Sequence, residues 1–134
     1  MRSTKIVTSF IKNKNKLLIL KRSDKVRSMK GLWSGVSGII EKGEIPINRA
    51  KIEIFEEIGI IEDKITLVKS IEKMKILSPQ YENHEWEIFS FLFETKETKI
   101  KLNWENSEFK WINKNELKNY QTVPNLDKIL FNLL

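Results

Sequence analysis

Residues 38–60 read GIIEKGEIPINRAKIEIFEEIGI, and Ile47, Ala50, Ile54 and Ile58 within them, with Ile61 just beyond, recur at intervals of three and four. That is the period of a helix with one buried face. The expected helix runs over 48–58. Pro46 suits its first turn, where a missing amide costs nothing, and Gly59 suits its end. At about 100° per residue, Glu56 lies about 60° to one side of Glu53 and Glu57 about 40° to the other, so three carboxylates share one stripe. Like charges three and four positions apart repel, and no lysine or arginine lies between 52 and 63 to relieve them. A divalent cation held by hard oxygen donors, magnesium or manganese, would neutralise the stripe. A solvated acidic face is the plain alternative.

On either side of the helix the pattern shortens to that of strands. TKIVTSFI at 4–11 and KLLILK at 16–21 read as a hairpin-like opening around the turn KNKN, and WSGVSGII at 33–40 as a third strand. ITLVKSIEKMKI at 65–76 and HEWEIFSFLFE at 84–94 follow the helix. In the latter Trp86, Ile88, Ser90 and Leu92 share one face and Phe89, Phe91 and Phe93 the other, so both faces are expected to be mostly buried. FKWI at 109–112 is strand-like and NKNEL at 113–117 reads as a short helix. VPNLDKILFNLL at 123–134 carries Leu126, Ile129, Leu130, Leu133 and Leu134 at helical spacing and is expected to close the core.

With 134 residues, 40% hydrophobic and 31% charged, the composition is that of one folded domain over 1–134 rather than a disordered chain. Five glycines, three prolines and no internal repeat mark no linker. The run LLIL at 17–20 is far too short to span a membrane, and MRSTKIVTSFIK lacks the apolar block of a signal peptide. No membrane partner and a cytoplasmic location are expected. The absence of cysteine rules out disulfides and thiolate chemistry, and His84 is the only histidine, which leaves oxygen ligands for any metal. A formal charge of +6 admits a nucleic-acid or small anionic partner. The lysines are scattered and form no basic helix, so a solvated basic surface is favoured over a nucleic-acid footprint.

Gly38, five residues, Glu44, seven residues and then IEIFEEIGI at 52–60 resembles the Nudix box, whose pattern is G, x5, E, x7, REUxEExGU with U aliphatic. Gly38, Glu44, Glu53, Ile54, Glu56, Glu57, Gly59 and Ile60 match without a gap. Outside the box, LLILKR resembles the preceding strand, GLWSGVSG the segment leading in, and FKWINKNEL a later strand and turn. The resemblance implies a Nudix fold, an α/β (α+β mixed) architecture with a mixed β-sheet between α-helices. It also implies hydrolysis of a phosphoanhydride bond in a nucleoside diphosphate linked to another moiety, with Mg2+ or Mn2+ required. By position, Glu53, Glu56 and Glu57 are the expected catalytic and metal-binding carboxylates, the carbonyl of Gly38 a further metal oxygen, and Glu44 a group that positions the helix. Such cations offset the charge of a polyanionic pyrophosphate and acidify bound water. Glu53 is nominated as the base that takes the water's proton. Glu105 and Glu108 are the loop alternatives, each read first as an exposed structural glutamate.

Two positions depart from the pattern. Ile52 stands where the family has an arginine that braces the carboxylates, and a short aliphatic chain donates no hydrogen bond. Arg49, four residues before Glu53 on the same stripe, is the cation expected to compensate. Ser37 replaces a common glycine, a minor loss where the backbone does not need positive φ. Arg22, Arg27 and Lys30 are candidate contacts for substrate phosphates, set against solvated surface charge. Trp33 either stacks a base or fills the core. The expected partner is a small nucleotide or nucleoside diphosphate derivative such as a nucleoside triphosphate, an oxidised nucleotide or a nucleotide sugar; which one, and the oligomeric state, stay open. Two other readings also remain: a catalytically weak nucleotide-binding or regulatory module, motivated by Ile52, and an RNA-processing protein, motivated by the positive charge.

Overall fold

The N-terminal hairpin forms only at its tip. In the computed structural model, which describes residues 2–77 and 83–134, β1 (Arg2–Asn13) and β2 (Lys16–Arg22) pair at Lys12–Leu17 and Asn13–Lys16 and then diverge. The third expected strand fills the widening gap by breaking in two. β3 (Trp33–Ser34) pairs with β2, and β4 (Val36–Ile39) pairs with β1, both antiparallel. Gly35 lies at the break. A Cβ there would fall 2.7 Å from the Ser9 carbonyl oxygen and 3.1 Å from the Phe10 ring, so the crossing strand fits only without a side chain.

The other edge of β1 runs parallel to β6 (His84–Thr95), in register from Arg2–His84 to Lys12–Glu94. β6 pairs antiparallel with β5 (Ile65–Leu77), and β7 (Asn106–Ile112) pairs antiparallel with β2. Together these strands make a mixed seven-stranded sheet. The short helix expected at 113–117 forms as a 3-10 helix, Lys114–Asn119, capped by reciprocal bonds between Asn113 and Glu116.

α1 (Pro46–Ile58) covers one face of the sheet. Ala50, Ile54 and Ile58 are fully buried against Val7, Val36, Phe91 and Phe93, and each isoleucine contributes about 1.5–3 kcal/mol by leaving water. Gly59, at φ 77°, ends the helix by donating its N–H to the Phe55 carbonyl at 3.0 Å. This left-handed residue changes the phase of the chain, so Ile60 is buried while Ile61, expected on the apolar face, is exposed. α2 (Leu126–Leu133) covers the opposite face, where Leu126, Ile129, Leu130 and Leu133 pack with Phe10, Ile88 and Leu92. Leu134, past the helix end, is exposed rather than part of that stripe. Alternation along β6 serves both layers, Phe91 and Phe93 toward α1, Ile88 and Leu92 toward α2. The sheet therefore lies between helices, as the resemblance implies. Among the described residues no helix is long and apolar enough to cross a membrane.

Gly35→Ala should lower stability by about 1–3 kcal/mol, because the methyl group meets backbone that cannot yield cheaply. Urea denaturation should show a lower midpoint at an unchanged slope. An unchanged midpoint would mean that the β3–β4 crossing does not press on β1.

Candidate metal centre and substrate cavity

Thr8 from β1 and Arg22 from β2, on the two diverging strands, line one cavity of about 480 Å³, and Ser34 and Gly38 line it from the segment that fills the gap. α1 brings its acidic stripe to the same place. Glu53 and Glu57 precede and follow the buried Ile54 on adjacent turns, so the rotation that seats the isoleucines in the core draws these two carboxylates inward. Glu57 is 4% exposed and Glu53 9%, while Glu56, on the other flank of the stripe, is exposed. Glu105, just before β7, joins them: one carboxylate oxygen from each of Glu53, Glu57 and Glu105 lies within 4.8 Å of the others.

This third carboxylate is held firmly. The Glu105 amide donates to Asn103 Oδ1 at 3.0 Å, and Asn103 Nδ2 donates to Glu105 Oε1 at 3.2 Å. Ser23, just after β2, ties down the backbone by donating its amide to the Glu105 carbonyl at 2.8 Å and its hydroxyl to the Trp104 carbonyl at 2.7 Å. Asn106 Nδ2 donates to Glu57 Oε1 at 3.2 Å, but Glu57 Oε2 is buried without a hydrogen-bond partner among the described residues.

Carboxylates this close and this dry cannot all be ionised without a cation among them. Burial, reinforced by the charges of Glu105 and Glu53, holds Glu57 well above the usual carboxylate range. Burial also raises Glu53, opposed by its bond from Arg49 and reinforced by the charges of Glu56 and Glu105. Arg22 faces the group: burial lowers its pKa, and the charges of Glu57 and Glu105 work against that shift. Its Nε donates to the Ser28 carbonyl at 3.1 Å. An orphaned carboxylate oxygen among three converging carboxylates is a donor set that suits a hard divalent cation.

The remaining motif residues hold Glu53 in place. Gly38 lies flat against it, since a Cβ at Gly38 would fall 2.4 Å from both Glu53 Cγ and Cδ. Ser37 sits in ordinary strand register opposite Thr8 and needs no glycine. Arg49 donates from Nε to Glu44 Oε1 at 3.0 Å and from Nη1 to Glu53 Oε2 at 2.9 Å. The bond from Arg49 lowers the pKa of Glu44, and the two carboxylates raise that of Arg49.

Of the other candidates, Arg27 and Lys30 are exposed and, among the described residues, not part of the cavity wall. Trp33 is 8% exposed in the core under α2, edge-on to Tyr120 at 5.2 Å, which is the core-filling alternative of the two readings. Glu108 is exposed and paired with Lys21 at 3.3 Å. Glu105, by contrast, is partly buried in the carboxylate group rather than a free surface glutamate. The apolar half of the cavity was not foreseen: Trp86, Ile76 and Ile6 from the sheet face Val123, Pro124 and Leu126. The alternation in β6 marks Trp86 as one-sided, but only the tertiary fold makes that side a cavity.

A family profile described as the NUDIX domain matches residues 2–133. Among solved structures, the MutT protein from Methanosarcina mazei Go1 aligns with a TM-score of 0.75 at 20% identity, over 98% of this chain and 91% of that one. A C. elegans Ap4A hydrolase in a binary complex aligns with a TM-score of 0.72 at 14% identity, over 98% of this chain and 93% of that one. The NUDIX domain of Shewanella oneidensis NrtR, complexed with ADP ribose, aligns with a TM-score of 0.75 at 12% identity, over 98% and 86%. At these identities the structural likeness is one of fold. With the profile spanning nearly every residue, the chain belongs to the NUDIX domain family.

Proposed function

We propose that this chain acts as one NUDIX domain over 1–134 that hydrolyses a phosphoanhydride bond in a nucleotide or nucleotide derivative with the help of Mg2+ or Mn2+. The observation that carries the reading is the convergence of Glu53, Glu57 and Glu105, with an orphaned Glu57 oxygen, beside the polar end, lined by Glu53 and Glu105, of a cavity whose other end is apolar. Glu53, Glu57 and Glu105 would hold the cation. Glu56, whose charge already acts on Glu53, flanks them, and the Gly38 carbonyl is a further candidate oxygen. When bound, the cation supplies charge neutralisation for a polyanionic substrate and acidifies a bound water.

The chain's own groups account for the rest. Arg22, in the cavity wall beside the carboxylates, binds and orients the phosphate chain. A carboxylate of the group, Glu53 or Glu105, takes the proton of the attacking water. The indole of Trp86 offers a stacking surface for a base at the apolar end. Two proteins of similar fold are named for, or complexed with, nucleotides, Ap4A and ADP ribose, which supports a nucleotide here.

Glu57→Gln keeps the side chain's size but removes an anionic donor, so Mg2+-dependent turnover of a panel of nucleotides should fall by at least about a hundredfold with circular dichroism unchanged. Wild-type turnover in this variant would remove Glu57 from the site. Trp86→Ala should raise KM for a nucleoside triphosphate about tenfold with kcat nearly kept, the size expected for a lost stacking contact. An unchanged KM would place the base elsewhere.

Stability offers a check without turnover. Glu57 and Glu53 hold their protons to higher pH in the folded than in the unfolded chain. Above the ordinary carboxylate range the folded state therefore binds more protons than the unfolded one, and these groups lose stability as pH rises through their raised folded values. In chelator, Glu57→Gln should thus gain in melting temperature relative to wild type as pH rises above the ordinary carboxylate range. Added Mn2+ should raise the wild-type melt at neutral pH and leave Glu57→Gln nearly unmoved. Parallel melts of the two proteins with pH, or equal Mn2+ shifts, would contradict the arrangement.

A further inference from the structure

We infer that Arg49 is the positioning residue for the metal-binding carboxylate Glu53, supplying from one helical turn earlier the brace that position 52 lacks, and that this brace can be moved between the two positions without loss. The inference rests on the carboxylate group being a metal centre. Arg49 carries three bonds that involve Glu44, from Nε to Oε1 at 3.0 Å, from Nε to Oε2 at 3.2 Å and from Nη2 to Oε2 at 2.5 Å, and one from Nη1 to Glu53 Oε2 at 2.9 Å. Glu44 in turn accepts the Glu41 amide at 2.7 Å. One guanidinium thus fastens the turn that leads into α1 to the carboxylate on the second turn of that helix.

The fastening has a job to do, because α1 begins without any side-chain cap: its N-cap is Ile45, followed by Pro46, with no acidic residue in the first turn. The pairs are also sheltered. The side chains of Arg49 and Glu53 are 18% and 11% exposed, so the ion pair is less screened than an open surface one. With Gly38 against Cγ and the carboxyl carbon and Arg49 on Oε2, Glu53 is confined on two sides. A planar guanidinium can hold two carboxylates at once, which an ammonium cannot do with the same geometry.

Position 52 is open. Ile52 is 41% exposed, so a cation there would stay solvated rather than be buried unpaired. Positions 49 and 52 are neighbours on the helix surface, with Cβ atoms about 5–6 Å apart, within the span of an arginine side chain. An arginine at 52 can therefore bring its guanidinium to the space between Glu44 and Glu53 from the following turn.

The test uses the full chain, Mn2+ alone as the titrant in calorimetry, and a nucleoside triphosphate for turnover. Arg49→Ala should bind Mn2+ at least about tenfold more weakly, with kcat lowered more than KM, as for loss of a group that orients a metal ligand. Arg49→Lys should fall between the two. The double variant Arg49→Ala/Ile52→Arg should recover Mn2+ affinity to within about threefold of wild type. Mn2+ affinity in Arg49→Ala equal to that of a competent wild type would overturn the brace alone. So would a double variant that melts like wild type and yet stays as weak as Arg49→Ala, or an Arg49→Lys that matches wild type. A wild-type chain that binds no Mn2+ would sink the metal-centre reading itself, and the brace with it.

Discussion

Two glutamates on α1 share a helix edge with residues that must be buried, and much of the site follows from that constraint. Ile54 and Ile58 are fully buried, and Glu53 and Glu57, immediately before each of them, cannot escape to solvent without unseating them. In an ordinary helix that arrangement would be selected against, because a buried carboxylate needs a partner for each oxygen. Asn106 serves one oxygen of Glu57 and Arg49 one oxygen of Glu53. Between them Glu53 and Glu57 have no donor when both are ionised, whereas a proton on Glu57 turns their meeting into a hydrogen bond. A divalent cation would suit the same place as that proton.

The cavity has its origin in the same strands that carry the core. β1 and β2 stay together for only two residue pairs, and the two halves of the Trp33–Ile39 segment, parted at Gly35, each follow one of them. Separation of the strands exposes Thr8 and Arg22 to a common space, and the return of β7 beside β2 delivers Asn106 opposite Arg22 and Glu105 next to it. α2 closes the far side with aliphatic side chains. A gradient from charged to apolar along one cavity results, with no element devoted to the site alone.

Much of this was legible in the chain. Proline and glycine bracket α1 at the positions where φ and hydrogen bonding demand them, and the alternation in β6 announced a strand covered on both faces. The reach of Arg49 to Glu53 followed from helix periodicity alone. What stayed hidden depends on distance in sequence. Glu105 is 48 residues beyond Glu57, counting from 57 to 105, and nothing in ENSEF distinguishes it from Glu108, which faces Lys21 in solvent. Trp33 and Trp86 are equally aromatic in sequence, yet only the packing under α2 makes the first a core residue and the second a cavity wall. The phase slip at Gly59, which buries Ile60 instead of Ile61, belongs to a left-handed residue that periodicity cannot see past.

The placement of the two arginines shows how the fold keeps the centre of the carboxylate group available. An arginine inserted among Glu53, Glu57 and Glu105 would satisfy their charge permanently and leave no room for a cation. Arg49 instead approaches Glu53 from outside the group, with Glu44 absorbing the rest of its hydrogen-bonding capacity. Arg22 is near enough to Glu57 and Glu105 to feel both charges, but its Nε is committed to the Ser28 carbonyl, which ties the guanidinium to the loop that lines the cavity. Each cation therefore stabilises the anionic cluster from its rim while a second partner restrains it from entering. The oxygen left without a partner among the described residues belongs to Glu57, the most buried of the three, and as a hard donor it would suit a small divalent ion better than a side chain.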